Sequence, residues 1–250
     1  MNNSIIVANW KMNPSTLEEA IQLTKNIVNL PLKNKIILLV PFPFIYCVNE
    51  EIKKQKNTNL IELGSQDCYI KLSGAYTSAI SIPMIKTVGC SYVLTGHSER
   101  RLLFNDTNSL INKKIHLILE SNLKCILCIG ENKLEYEQGL NKETCSKQLK
   151  ECLRECSESD LSKIIIAYEP VWAIGTGLNA TPEIAEEIHC HIRDWLSINY
   201  SNSVAKNMTI LYGGSVNSDN VSSLLKMNNI NGALVGGASL DINKFSKIVK

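Results

Sequence analysis

The sequence predicts an α/β fold: eight parallel strands closed into a barrel and ringed by helices. Three observations predict it. Short apolar runs recur eight times along the 250 residues. Each run is continuously apolar instead of alternating, the pattern of parallel strands covered on both faces. Several of the segments between them repeat their apolar residues with helical spacing. An open doubly wound sheet also alternates strands and helices, but eight strands in one chain of this length favour a closed (β/α)8 barrel. With 44% hydrophobic residues and no linker or low-complexity tract, residues 1–250 read as a single domain.

The first run is IIVAN (Ile5 to Asn9). The N-terminus, MNNSIIVANW, has no basic region followed by a long apolar stretch, so it reads as a strand and not a signal peptide. In STLEEAIQLTKNIVNL, Ser15 to Glu18 has the form of a capping box that starts a helix. Leu17, Ala20, Ile21, Ile27 and Val28 then share one face. Strands follow at KIILLV (Lys35 to Val40), LIELG (Leu60 to Gly64), YVLTG (Tyr92 to Gly96), CILCIG (Cys125 to Gly130) and IIIAY (Ile164 to Tyr168). In TPEIAEEIHCHIRDWL, Thr181 is a natural N-cap with Pro182 at the first helical position. Its expected buried stripe is Ile184, Ala185, Ile188, Ile192 and Trp195. TILYGG (Thr209 to Gly214) and ALVGG (Ala233 to Gly237) complete the eight.

Lysine and arginine number 26 against 24 acids, and a net charge of +2 argues against a nucleic-acid binder. No apolar run approaches the roughly 20 residues that span a bilayer. Nine scattered cysteines in a chain without a signal sequence suggest reduced thiols and a cytoplasmic location.

A barrel gathers its functional groups on the loops that follow the strands. There the sequence offers Asn9 and Lys11 after the first strand, His97 and Glu99 after the fourth, and Glu169 after the sixth. Glycine turns YGGS and VGGA follow the last two. Gly213-Gly214-Ser215 and Gly236-Gly237 let backbone N–H groups approach an anion closely, and helices behind them would add positive dipole ends. Opposite Lys11, these turns read as a phosphate site; two tight turns without a ligand are the bland reading.

Glu169 is the candidate base. Pro170 restricts its backbone, Val171 and Trp172 can brace a hinge, and Gly175 and Gly177 permit movement at a loop tip. His97 is the candidate electrophile. If SERR opens a short helix, the helix N-terminus disfavours a charged ring, while a neutral imidazole still donates one N–H. No metal site is expected. Cys125 and Cys128 are i and i+3 on a strand and face opposite ways, His189 and His191 diverge on a helix, and Cys152 and Cys156 lack a second ligand pair.

Together NWKMN, GHSERR, CIGE, AYEPVWAIGTG, YGGSVN and LVGGASL, in that order and over essentially the whole chain, resemble the triosephosphate isomerase family. The resemblance implies a TIM barrel that interconverts dihydroxyacetone phosphate and D-glyceraldehyde 3-phosphate through an enediolate, in glycolysis and gluconeogenesis, without a cofactor. It implies Glu169 as the base, His97 polarising the carbonyl and shuttling protons between the oxygens, and Lys11 countering the substrate's charge. Asn9 would help place the substrate. Backbone groups of Gly175, Ser215, Gly236 and Gly237 would hold its phosphate under a closing loop. Glu99 and Cys128 would lie nearby without a definite step. The resemblance further implies a homodimer in which the loop carrying Thr77 reaches the partner's site.

The chain departs from the family pattern at three places. Asp67 stands where Asn is usual, Ser78-Ala79 where Gly-Glu is usual, and Leu178-Asn179 at the far hinge of the closing loop. The usual Glu would pair with the partner's arginine, here Arg100, and Ala79 cannot, so a more readily dissociating dimer is expected.

Rival readings are another phosphate-binding barrel such as an epimerase or aldolase, a glycosidase using Glu99 and Glu169, and a barrel kept for binding alone. No lysine lies inside the sixth or seventh run for a Schiff base, 6% aromatics is sparse for a sugar groove, and Lys11, His97 and Glu169 are all present.

Overall fold

The computed structural model describes residues 4–55, 59–173 and 180–249. Eight strands run β1 (Ile5–Asn9), β2 (Lys35–Val40), β3 (Ile61–Ser65), β4 (Tyr92–Thr95), β5 (Lys124–Ile129), β6 (Ile164–Tyr168), β7 (Thr209–Tyr212) and β8 (Gly232–Val235). They pair in chain order and close, all parallel, with β8 returning to β1 through Ile5↔Gly232 to Ala8↔Val235. Helices on the outside cover the sheet, as the continuous apolar strands require.

Strand side chains alternate between two cores. Val7, Ile37, Leu94, Ile126, Ala167, Leu211 and Leu234 fill the barrel interior. Ile6, Ala8, Ile36, Leu38, Val93 and Ile166 face outward into the layer under the helices. The two-residue period then positions the site. Asn9 continues the inward row of Val7, Glu169 that of Ala167, Gly213 that of Leu211, and Gly236 that of Leu234. Cys125 belongs to the outer layer and Cys128 to the inner, the opposite facing expected of i and i+3 on a strand.

The first helix, Leu17–Val28, starts one residue later than its sequence suggested. Thr16, not Ser15, is the N-cap. Its hydroxyl accepts the Glu19 N–H, and the Glu19 carboxylate accepts the Thr16 N–H in return. Ser15 with Glu18 offers the same motif one residue earlier, but the Thr16–Glu19 pair is the one that closes both bonds, and it sets the register. The buried stripe shifts with it to Ala20, Leu23, Thr24 and Ile27; Leu17, Ile21 and Val28 are only half-buried. Thr24 is tolerated inside because its hydroxyl donates to the Ala20 carbonyl at 2.7 Å.

Helix Pro182–Asn199 begins as expected, with Thr181 accepting the Ile184 N–H. Its buried face is Ala185, Ile188, His189, Ile192 and Leu196, with Ile184 and Trp195 packed at its edge. Among the described residues, no helix is long and apolar enough to cross a membrane.

Candidate active site

At the C-terminal mouth of the barrel, a cavity of about 480 Å³ is lined by Asn9, Lys11, His97, Glu169, Gly213 to Asp219, Gly236 to Ala238 and Lys244. Seven of the eight predicted site residues therefore meet there: Asn9, Lys11, His97, Glu169, Ser215, Gly236 and Gly237. The eighth, Gly175, lies outside the described residues, as do Gly177, Leu178 and Asn179.

Glu169 is 2% exposed on the wall of this cavity. The β6 ladder delivers it: its N–H still donates to the Ile129 carbonyl at 2.7 Å. Glycine is needed at Gly213, because a Cβ there would sit 2.9 Å from Glu169 Cγ. One carboxylate oxygen, Oε2, accepts the backbone N–H of Ser98 at 2.9 Å. The other, Oε1, lies 3.1 Å from His97 Nε2.

His97 caps the short helix Ser98–Phe104, the helix expected at SERR. Its Nδ1 accepts the Glu99 N–H at 3.2 Å. That bond needs a lone pair on Nδ1, so the ring proton resides on Nε2 and points at Glu169 and the cavity. A donor and a carboxylate thus converge on one space, both buried.

Lys11 takes a left-handed backbone conformation, φ 54°, which costs a residue with a Cβ about 1 kcal/mol or more. Its stem crosses Gly236, where a Cβ would come 3.3 Å from Lys11 Cε. Its ammonium meets Glu99 Oε1 at 2.7 Å. Asn9 Oδ1 accepts the Lys11 N–H at 3.0 Å. The 3-10 turn Gly237–Leu240 begins directly after β8, and the first N–H groups of such a turn have no partner within it. With Ser215 across the opening, this is an anion cradle within reach of an ammonium.

Several neighbours escape sequence reasoning. Ser98 acts through its main chain, which no residue type signals. Glu131, at the end of CIGE, is fully buried, and burial raises its pKa. Its Oε1 accepts Tyr168 OH at 3.0 Å and Trp172 Nε1 at 2.7 Å. Trp172 also stacks on Tyr136 with centroids 4.0 Å apart. The segment directly after β6, Pro170 to Ala173, is thereby tied to the residues that follow β5. Its signal was a carboxylate ending a buried strand, the same signal that marked Glu169. Cys128 is enclosed beside the site, and burial first, then the Glu169 carboxylate, push its thiol well up.

Asp67 also acquires partners. Arg100 Nε lies 3.0 Å from Asp67 Oδ2 and 3.1 Å from Asp106 Oδ2. Lys114 Nζ lies 2.6 Å from Asp67 Oδ1 and 2.7 Å from Asp106 Oδ2. Two cations and two carboxylates close a square behind the Ser98–Phe104 helix. Asp106 is held below the usual carboxylate range: burial opposes ionisation, but hydrogen bonds from Arg100 and Lys114 outweigh it. Asp67 moves the other way, because burial outweighs the same two cations.

A family model described as triosephosphate isomerase matches residues 4–250. Among curated relatives, the triosephosphate isomerase of Aquifex aeolicus is 46% identical over 98% of both chains. That of Caldanaerobacter subterraneus subsp. tengcongensis is 43% identical over 100% of this chain and 99% of its own. That of Fusobacterium nucleatum subsp. nucleatum is 41% identical with the same coverage.

Proposed function

The chain belongs to the triosephosphate isomerase family and interconverts dihydroxyacetone phosphate and D-glyceraldehyde 3-phosphate, and we propose that Glu169, His97 and Lys11 carry out the reaction. The observation that carries this assignment is the 3.1 Å approach of a buried Glu169 carboxylate to a His97 nitrogen that holds its proton, inside the cavity that Lys11 lines.

Glu169 exchanges its hydrogen bond to His97 for a substrate C–H. It removes the proton from the hydroxyl-bearing carbon beside the carbonyl, leaving an enediolate. Nε2–H of His97 donates to the carbonyl oxygen, where negative charge develops; one such donor is worth about 3 to 4 kcal/mol. His97 then carries a proton from one oxygen to the other, and Glu169 returns its proton to the neighbouring carbon. Atoms balance with no external acid, base or oxidant. Lys11 offsets the enediolate and phosphate charge, and Asn9 fixes the Lys11 N–H beside it. Backbone N–H groups of Ser215, Gly236 and Gly237 hold the phosphate, far from the reacting carbons. Their binding energy is free to favour enclosure of the enediolate, which would lose phosphate in water. Gly175 joins them by resemblance.

We also propose a cytoplasmic homodimer of single-domain subunits. All nine cysteines are free thiols. Residues 71–78, including Thr77, are exposed. Met12, Leu72, Tyr76, Leu102, Leu103 and Phe104, from the segments after β1, β3 and β4, expose large apolar side chains. Apolar surface of that kind is characteristic of a contact face.

The test is isomerisation of both triose phosphates beside a Glu169→Gln control. Loss of about 10² to 10⁴ in kcat in the control is expected for an essential base. A control that retains wild-type kcat would refute the assignment of the base.

A further inference from the structure

We propose that Gln66 is a positioning residue for the isomerisation: its side-chain amide holds Lys11 in the left-handed backbone conformation that aims the ammonium across Gly236 into the phosphate cradle. The proposal rests on Lys11 being the cation that meets the substrate.

A lysine at φ 54° is out of its ordinary range and needs its neighbours to hold it. Two residues past β1, the Lys11 N–H is taken by Asn9 Oδ1 at 3.0 Å. Its carbonyl is taken by Gln66, whose Nε2 donates at 2.8 Å. The same nitrogen donates at 3.0 Å to the Leu39 carbonyl on β2. A primary amide has two hydrogens on its nitrogen, and here both go to backbone oxygens of other strands' ends.

The position of that bridge gives it its meaning. The Leu39 carbonyl also accepts the Trp10 N–H at 3.1 Å, the last bond of the β1–β2 ladder. At the next residue the ladder ends, and among the described residues no backbone N–H donates to the Lys11 carbonyl. Gln66, directly after β3, reaches over β2 and supplies the missing donor. Gly236 clears the path of the lysine stem on the far side, and Glu99 fixes its tip at 2.7 Å. With the carbonyl released, the backbone of Lys11 relaxes toward ordinary φ. Its Cα–Cβ bond then swings, and the ammonium leaves the cradle. The two nearest isosteres cannot replace it: a carboxylate would present acceptors to two acceptors, and a thioether would present no donor.

Gln66→Met and Gln66→Glu are measured for kcat/KM on triose phosphate, for inhibition by inorganic phosphate, and for thermal unfolding. Both substitutions are also placed in a Lys11→Met background. We expect each to lower kcat/KM by about tenfold or more and to weaken phosphate inhibition in parallel, chiefly through KM. In the Lys11→Met background the same substitutions should change kcat/KM by less than about twofold, because the group they act through is gone. An equal loss in both backgrounds would mean that Gln66 serves the fold and not Lys11, and so would failure of both variants to fold. Full activity of Gln66→Met would also overturn the proposal. Full activity of Lys11→Met would instead overturn the role given to Lys11 itself.

Discussion

His189 makes this protein sensitive to mild acid. The residue sits on the buried face of helix Pro182–Asn199 with no exposed surface. One ring nitrogen, Nδ1, bonds the Asn229 carbonyl at 3.2 Å and so carries the proton. The other, Nε2, is buried without a partner. The ring of Tyr168 stands edge-on at 5.9 Å. Charging the imidazole would strand a second N–H in this apolar setting. Burial is the chief cause that pushes its pKa down to about 3, with the Arg193 charge adding to it and the Asn229 bond opposing. The group titrates lower folded than unfolded, so between about pH 6.5 and 3 the unfolded chain binds a proton that the folded chain refuses. Stability is therefore intact above the unfolded pKa and falls as the pH drops below it. At pH 7 the deficit is about 0.2 kcal/mol, and at pH 5 it is about 2 kcal/mol.

The variant His189→Asn keeps a donor near the Nδ1 position and cannot charge. It will lose some stability at pH 7 from the smaller side chain. That loss does not depend on pH, and titrations of Asp67 or Glu131 are common to both proteins and cancel. Urea unfolding at fixed protein concentration, at pH 7 and pH 5, should show the gap between wild type and variant closing by about 2 kcal/mol. A gap constant to within about 0.5 kcal/mol would refute the reasoning, because it would mean the folded protein accepts the proton as readily as the unfolded chain.

Other predictions are shorter. Gly213→Ala places a methyl 2.9 Å from Glu169 Cγ and should lower kcat/KM by about 10- to 100-fold; activity within about threefold of wild type would show that the carboxylate tolerates displacement. Asp67→Asn leaves Arg100 and Lys114 sharing Asp106 alone. Because burial outweighs those cations at Asp67 and the amide oxygen still accepts, losing the charge should leave the urea midpoint at pH 7 unchanged or slightly raised, and a loss of about 2 kcal/mol would instead show the Asp67 charge to be a support of the square. Leu103→Asp puts a charge on the proposed contact face and should move sedimentation toward the monomer; an unchanged profile would remove that face from the interface. The proposed dimer of the unmodified chain should dissociate more readily than is usual for the family, because Arg100 is already paired within its own chain and Ala79 offers no carboxylate. Sedimentation that shows a dimer persisting at low nanomolar concentration would count against this.

The sequence by itself determined the architecture and the identities at the mouth of the barrel. Short, β-branched continuous apolar runs favour strands covered on both faces, and eight of them favour a closed sheet. The period of two along Val7–Asn9 and Ala167–Glu169 then carries an inward-facing core row directly into a functional group. Thr181 and Pro182 were legible for a similar reason: a cap and its helix are neighbours in the chain. Even locally, one residue of register escaped at Thr16, where adjacent hydroxyls and adjacent glutamates offer two capping boxes and the folded chain closes the later one.

What only the tertiary structure decided are the partners. Ser98 holds Glu169 from 71 residues away, Glu99 meets Lys11 across 88, and Gln66 meets it across 55. Neither periodicity nor residue type encodes such pairings, because a backbone N–H belongs to every residue except proline and an amide in a loop is an ordinary surface choice. The burial of His189 and Glu131 is hidden for the same reason. Each is a polar residue in a polar-looking position until the neighbouring elements close over it and remove its water.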